Sequence, residues 1–332
     1  MLTNLLEQVS RSFYLTLRVL PSDIRPQIGL AYLLARTTDT VADTTLVSLE
    51  QRLDLLEQLR GRIVGTRTDA LSVMDLSRNQ ESQPERKLLE HVETSLAILA
   101  QSSAEDRALI RKVLDTITSG QVLDLKRFAG ANADLIVALR TREELDDYTY
   151  RVAGCVGEFW TKICLQDHFR GSQFLTNQGI SQTDYEMLGV RFGKGLQLVN
   201  ILRDLPADLR SGRCYIPSDM LQLVQLAPSD LLDPQSAPRL RPVFHQLVDD
   251  AQAHLEAGWR YTNLIPRSEL RLRLACAWPI LIGMKTLKRL RAANVLDASQ
   301  RIKISRAEVR QILVRSLVTY PLARWRNLAR SI

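Results

Sequence analysis

The chain has 332 residues, of which 45% are apolar and 24% charged, values that are ordinary for a folded globular protein. Its net charge of +7 is uneven, because residues 259–332 contain 16 Lys and Arg but only three acids. These basic residues follow no nucleic-acid-binding motif and no aromatic stacking pattern, so the sequence argues against a nucleic-acid partner.

Apolar residues recur at steps of three and four along nearly the whole chain, a period typical of α-helices. The predicted helices lie near residues 5–20, 23–46, 48–64, 85–101, 104–128, 142–167, 181–210, 241–264, 268–292 and 304–328. Loop signals fall at 66–84, 129–134 and 227–242, and none resembles a flexible linker between domains. We therefore predict an all-α fold, a single helical bundle over residues 1–332.

The predicted helix 23–46 has a polar stripe on an otherwise apolar segment. Tyr32, Arg36, Asp39 and Asp43 are separated by four, three and four residues, which places them on one face. Two interpretations are open. The carboxylates either face water beside their arginine, or they face inward, where carboxylates must be paired or bind a metal.

The predicted helix 181–210 repeats this design. Gln197, Asn200, Asp204 and Asp208 share a second stripe, and Arg203 lies at its edge. The same two interpretations apply here. Pro206, between the two aspartates, is predicted to kink or end the helix.

Carboxylate and amide oxygens without His or Cys form a hard donor set suited to Mg²⁺. Two such stripes that faced each other across a bundle could hold a diphosphate through Mg²⁺. Arg36, Arg203, Arg213 and Tyr215 could then neutralise or hydrogen-bond its outer oxygens.

The four cysteines and four histidines fall at no spacing typical of a disulfide framework or a zinc site. The N-terminal residues do not resemble a secretory signal, and the longest apolar run, 274–284, is shorter than the roughly 20 residues that span a bilayer. We expect a cytoplasmic protein that is soluble or peripherally membrane-associated.

Four segments together resemble the squalene and phytoene synthases, the head-to-head prenyl synthases of the all-helical isoprenoid synthase fold. They are "SRSFYLTLRVLP" at 10–21, "DTVAD" at 39–43, "YTYRVAGCVGEFW" at 148–160 and "GLQLVNILRDLPADLRSGRCYIP" at 195–217. They occur in the family's order and approximate spacing, and the resemblance covers about residues 5 to 315. It implies a bundle of helices around a central apolar cavity.

The resemblance also implies site residues. The implied Mg²⁺ ligands are Asp39, Asp43, Asn200, Asp204 and Asp208; the implied diphosphate-binding residues are Ser10, Arg11, Arg36, Arg203 and Arg213; the implied prenyl-channel residues are Phe13, Tyr32, Val152, Gly157 and Gln197.

Two features of the third segment leave questions open. Relatives commonly place Tyr immediately before "VAG", whereas here that residue is Arg151 and the candidate catalytic tyrosine is Tyr150, one step earlier. The small residues from Val152 to Gly157 would let a prenyl chain run close to the backbone, or would let two helices pack tightly. The sequence does not choose between these interpretations.

The implied activity is that of a squalene synthase, because "DTVAD" and "RIKISR" at 301–306 are most similar to that branch. Two molecules of farnesyl diphosphate would condense to a cyclopropylcarbinyl (presqualene) diphosphate, which NADPH would reduce to squalene. The alternatives are a phytoene or dehydrosqualene synthase, which performs no reduction, and a non-catalytic lipid-binding or assembly factor of the same fold. The basic C-terminal segment could contact NADPH phosphates or an anionic membrane surface, or could simply be solvated.

Overall fold

The computed structural model describes residues 2–10, 13–71, 73–297, 299–300 and 302–331. The α-helices of this part of the chain are α1 Leu2–Val9, α2 Phe13–Val19, α3 Arg25–Asp43, α4 Leu49–Val64, α5 Met74–Asn79, α6 Gln83–Glu90, α7 Val92–Gln101, α8 Ala104–Arg127, α9 Arg142–Thr149, α10 Cys155–Ile163, α11 Phe174–Asn177, α12 Gln182–Arg210, α13 Ser218–Gln222, α14 Ala237–Leu264, α15 Leu270–Ala292 and α16 Arg306–Thr319. Two-residue strands, β1 Val137–Ala138 and β2 Arg213–Cys214, pair in parallel.

The predicted all-α class is confirmed. A single domain with a central cavity stays a prediction.

The chain forms two compact units. The first unit contains residues 1–126 and 159–172, and the second contains residues 127–158 and 173–332. The first stripe belongs to the first unit, and the second stripe belongs to the second.

In the first unit, α3 is fixed by its apolar face. Leu33 of this helix packs in one cluster with Leu5 and Val9 of α1 and Leu88 of α6. Two helix boundaries differ from the prediction. The predicted helix 5–20 consists of α1 and α2, and the predicted helix 85–101 is broken at His91, whose φ of −101° and ψ of 9° end α6.

In the second unit, the helical stretch that includes α10 packs backbone to backbone against α12. A Cβ added to Gly157 would lie 1.9 Å from the carbonyl oxygen of Gly189, and one added to Gly193 would lie 2.0 Å from that of Ala153. Only glycine allows this approach. A π-helical turn, Tyr150–Gly154, connects α9 to α10 at the same place.

Prolines act differently at two helix ends. Helix α12 continues through Pro206 to Arg210, which confirms the predicted bounds 181–210 and contradicts the alternative that Pro206 ends the helix. Proline removes one donor, and the bond from the Ser211 amide to the Ala207 carbonyl, 3.3 Å long, still closes the following turn. The predicted helix 304–328 instead stops at Thr319, shortly before Pro321, and 3₁₀ turns follow at Ala323–Asn327 and Ala329–Ser331.

None of the helices described combines the length and the apolar character needed to cross a bilayer. All four cysteines are free and buried.

Candidate active site

The first stripe is held by side chains from helices distant in sequence. The carboxamide nitrogen of Gln121, on α8, donates a hydrogen bond to Oδ1 of Asp39. Gln121 is only 9% exposed, and its Oε1 has no hydrogen-bond partner among the described residues. Sequence reasoning missed Gln121. The available signal was a polar residue on the buried face of α8, between Ile117 and Leu125.

Arg36 is shared between two carboxylates. Its Nη2 lies 2.7 Å from Oε1 of Glu85, on α6, whereas its Nη1 lies 3.8 Å from Oδ2 of Asp39. Glu85 therefore takes the closer contact, and Asp39 is only partly neutralised. The implied diphosphate-binding role of Arg36 would require it to loosen its contact with Glu85.

This surrounding raises the pKa of Asp39 from 3.8 to about 6. Loss of hydration is the largest cause and the nearby charge of Asp43 the second, while Arg36 and the Gln121 hydrogen bond act in the opposite direction. The Asp39 side chain still has 45% of its surface accessible to water. The carboxyl is therefore partly desolvated while it remains accessible to a ligand from solvent.

The remaining predicted residues of the first unit are placed as follows. Tyr32 packs against the apolar cluster that includes Leu5 and Val9 of α1. Its hydroxyl donates to the Val9 carbonyl at 3.4 Å. Ser10 is 2% exposed, and its hydroxyl donates to the Leu6 carbonyl. Phe13 begins α2, and Arg11 lies outside the described residues. The implied substrate contacts of all four stay predictions.

In the second stripe, Asp204 is paired locally. Arg203 forms a two-pronged ion pair with Asp204, in which Nε lies 2.9 Å from Oδ1 and Nη2 lies 2.5 Å from Oδ2. Hydrogen bonding to Asp204 raises the pKa of Arg203 further above its ordinary value. On the same helix, Asp208 and Gln197 are half-buried and Asn200 is exposed.

Arg213 and Tyr215 follow α12 and lie in an aromatic cluster. The Tyr215 ring stacks on Tyr148 with centroids 4.8 Å apart, and it meets Phe128 edge-on at 5.2 Å. The Arg213 guanidinium lies 5.8 Å from the Phe128 centroid. Pairing of β2 with β1 fixes the backbone of this loop.

Tyr150 starts the π-helical turn, and its hydroxyl donates to Oε2 of Glu158 at 3.0 Å. It lines a recess of about 470 Å³ whose other lining residues are Arg142, Glu143, Asp146, Asp147 and Lys194. Arg151 instead pairs with Asp147 at 2.9 Å. The choice between Tyr150 and Arg151 as the functional residue stays open.

Val152 lies within the π-helical turn, and Gly157 lies against α12. Close packing against the Gly189 backbone of α12 accounts for the glycine at 157. This agrees with the interpretation that the small residues let two helices pack tightly. Channel-lining roles for Val152, Gly157 and Gln197 stay predictions.

The donor chemistry of the stripes fits Mg²⁺, although no three His, Cys, Asp or Glu side chains of the described residues are clustered as a ready-made metal site. Asp39 and Asp43 raise each other's cost of ionisation, and a bound cation would relieve it. Both stripes offer oxygen donors only, as Mg²⁺ prefers. The Mg²⁺ ligand set stays a proposal.

Comparison with known proteins assigns the chain to a family. Residues 6–308 match the family model described as squalene/phytoene synthase. Presqualene diphosphate synthase of Rhodopseudomonas palustris is 27% identical over 77% of this chain and 76% of its own length. A bifunctional lycopene cyclase/phytoene synthase of Gibberella fujikuroi is 29% identical over 74% of this chain, which spans only 40% of that longer protein.

The fold is likewise similar to that of a solved structure. The squalene synthase HpnC of Alicyclobacillus acidocaldarius superposes with a TM-score of 0.62 at 19% identity, over 88% of this chain and 92% of the other. At this identity, the likeness supports the all-helical fold alone. Because the family match extends across nearly the whole sequence, the chain belongs to the squalene/phytoene synthase family, whose members are prenyltransferases.

Proposed function

We propose that this chain is a prenyltransferase that joins two molecules of farnesyl diphosphate head to head, through presqualene diphosphate, and reduces that intermediate to squalene. The observation that carries the first step is the similarity to a presqualene diphosphate synthase over three quarters of both proteins. The two stripes supply the acidic residues that such a reaction requires.

The proposed Mg²⁺ ligands are Asp39, Asp43, Asn200, Asp204 and Asp208. When bound, Mg²⁺ would neutralise the charge that develops on the departing diphosphate. Arg203 and Arg213 would bind diphosphate oxygens, and Arg203 would exchange its bond with Asp204 for one with the substrate.

Loss of diphosphate from one farnesyl group leaves an allylic carbocation. The alkene of the second farnesyl diphosphate attacks it, and loss of one proton closes the cyclopropane ring of presqualene diphosphate. Apolar walls must exclude water during this step, because water would capture the cation. Val152, Gly157 and Gln197 are the proposed lining residues.

Conversion to squalene requires loss of the remaining diphosphate and rearrangement of the resulting carbocation, which then takes up a hydride that NADPH would supply. On α15, Lys285 and Arg289 contact Glu308, and Arg291 contacts Asp249. The product formed with and without NADPH tests whether this chain performs the reduction.

Two observations favour other end points. The R. palustris relative is named for presqualene diphosphate, the product of the first step alone. The G. fujikuroi relative is named a phytoene synthase, which performs no reduction. Each end point yields a different extractable product.

The test is to incubate the purified protein with Mg²⁺ and either farnesyl or geranylgeranyl diphosphate, with and without NADPH, and to identify the products by mass spectrometry. We expect presqualene diphosphate without NADPH and squalene with it. Presqualene diphosphate under both conditions would limit the activity to the first step. Phytoene or dehydrosqualene would establish the non-reductive alternative, and failure to release diphosphate would contradict the proposal.

A further inference from the structure

Helix α16 carries a cluster of exposed apolar side chains. Val314, Leu317 and Val318 are 61%, 49% and 63% exposed, and Leu322, just beyond the helix, is 45% exposed. The first three follow steps of three and one, which places them on one face. Single exposed apolar residues are ordinary on protein surfaces, whereas a contiguous group indicates a binding surface. We call these four residues the α16 stripe.

The stripe lies on a firmly held helix, so its exposure does not reflect fraying. Ser305 and Glu308 form a capping box at the start of α16. On the inner face, Trp278 donates a hydrogen bond to the buried Ser316 at 3.0 Å. Ile312 is also buried on that face. The inner face therefore anchors the helix and leaves the stripe pointing outward.

The segment after the helix is anchored as well. Trp325 is 2% exposed, packs on Trp259 with centroids 5.2 Å apart, and donates to Oδ1 of Asn263 at 3.0 Å. Tyr320 donates to the Arg267 carbonyl at 2.6 Å. Both ends of the stripe are thus fixed within the second unit.

The stripe is bordered by positive charge. Residues 306–331 contain six arginines and a single acid, Glu308, and that acid lies 2.6 Å from Arg289 and 3.2 Å from Lys285. Arg310, one turn before Val314, and Arg315, beside it, are both exposed. Apart from Glu308, residues 306–331 contain no acid that would repel a negatively charged partner.

From this arrangement we infer that the α16 stripe docks the protein on an anionic lipid surface, with α16 lying in the plane of the interface. Apolar side chains would enter the headgroup boundary while the flanking arginines contact lipid phosphates, so that burial of apolar surface and charge attraction act together. A second copy of the chain is a poorer occupant, because a two-fold contact across the stripe would bring the arginines of both copies together. The inference does not rest on the proposed reaction.

The test is sedimentation of the full chain with vesicles of phosphatidylcholine, with and without phosphatidylglycerol. We expect binding that favours the anionic vesicles and weakens with salt. The variant L317Q/V318Q should lower the partition coefficient at least about tenfold. The variant R306Q/R310Q should lower it about tenfold on anionic vesicles alone.

A matched control is L223Q, which alters a large apolar side chain outside the stripe that is 78% exposed. It should bind vesicles as the unaltered chain does. The inference would be overturned if the unaltered chain ignored anionic vesicles, if L317Q/V318Q bound normally, or if L223Q lost binding equally. A lipid-free dimer that L317Q/V318Q converts to a monomer, seen by light scattering, would also overturn it. Circular dichroism establishes that each variant is folded.

Discussion

Each acidic stripe has two aspartates four residues apart and a nearby arginine, but Asp39 and Asp204 differ in how their charges are balanced. Asp204 has a partner beside it in sequence, Arg203, which contacts both of its carboxylate oxygens. Asp39 relies on Gln121, 82 positions away, and on an arginine that lies nearer to Glu85. Asp204 is therefore neutralised more completely than Asp39. A cation should gain more at Asp39 than at Asp204, since the Arg36 contact at Asp39 is longer than the Arg203 contact at Asp204.

The largest expected effect comes from removing one carboxylate charge from either stripe. Asp39→Asn or Asp204→Asn should each lower the rate of diphosphate release by at least about a hundredfold, comparable to the loss of one electrostatic stabiliser. Steady-state kinetics at saturating Mg²⁺ measure the loss. Asp54→Asn, an exposed carboxylate on α4, is the matched control and should retain full activity. Near-normal turnover in both stripe variants would remove the basis for the metal assignment.

The difference between the two stripes also shows which contacts could be predicted from the sequence and which could not. Helical periodicity predicted both stripes, and the neighbouring positions of Arg203 and Asp204 made a local pair foreseeable. The Gln121 contact depends on how α8 packs against α3, a tertiary arrangement that periodicity does not encode.

Helix boundaries show the same limit. The strongly periodic helices 48–64 and 104–128 were predicted to within one residue. The break at His91 was not predicted, because it depends on local backbone geometry that neighbouring turns stabilise. The predicted bounds 181–210 did carry α12 past Pro206, as the structure has it. For residues such as Ser10, the resemblance implies a role but not the buried position that the structure gives it.

A smaller effect should follow from replacing Gln121, which we expect to position the Asp39 carboxylate. Gln121→Met keeps the side-chain volume but removes the donor, so Asp39 would lose its fixed orientation. We expect turnover to fall about tenfold, with a higher Mg²⁺ concentration for half-maximal rate and little change in KM for the prenyl diphosphate. Gln101→Met, at an exposed position on α7, should have no effect. Equal changes in KM and in the Mg²⁺ requirement would point to general damage of the site.

The smallest expected effect concerns stability without metal. The pKa of Asp39 is about 6 in the folded chain and 3.8 in the unfolded reference, so the folded state holds more protons between these values. Stability must therefore fall as pH rises from about 4 to 6. Asp39→Asn removes this loss and keeps an oxygen that can accept from Gln121.

In EDTA at pH 8, Asp39→Asn should raise the free energy of unfolding by about 1 kcal/mol, since the 45% exposed side chain is partly screened. The gain should vanish near pH 3, where both forms are neutral. Asp204→Asn should give no gain at pH 8, because it removes the partner of Arg203. Denaturant titrations of the three proteins at both pH values measure these differences. If both variants were equally stabilised at pH 8, the charge of Asp39 would be no less balanced than that of Asp204. A cation would then have no reason to prefer the first stripe.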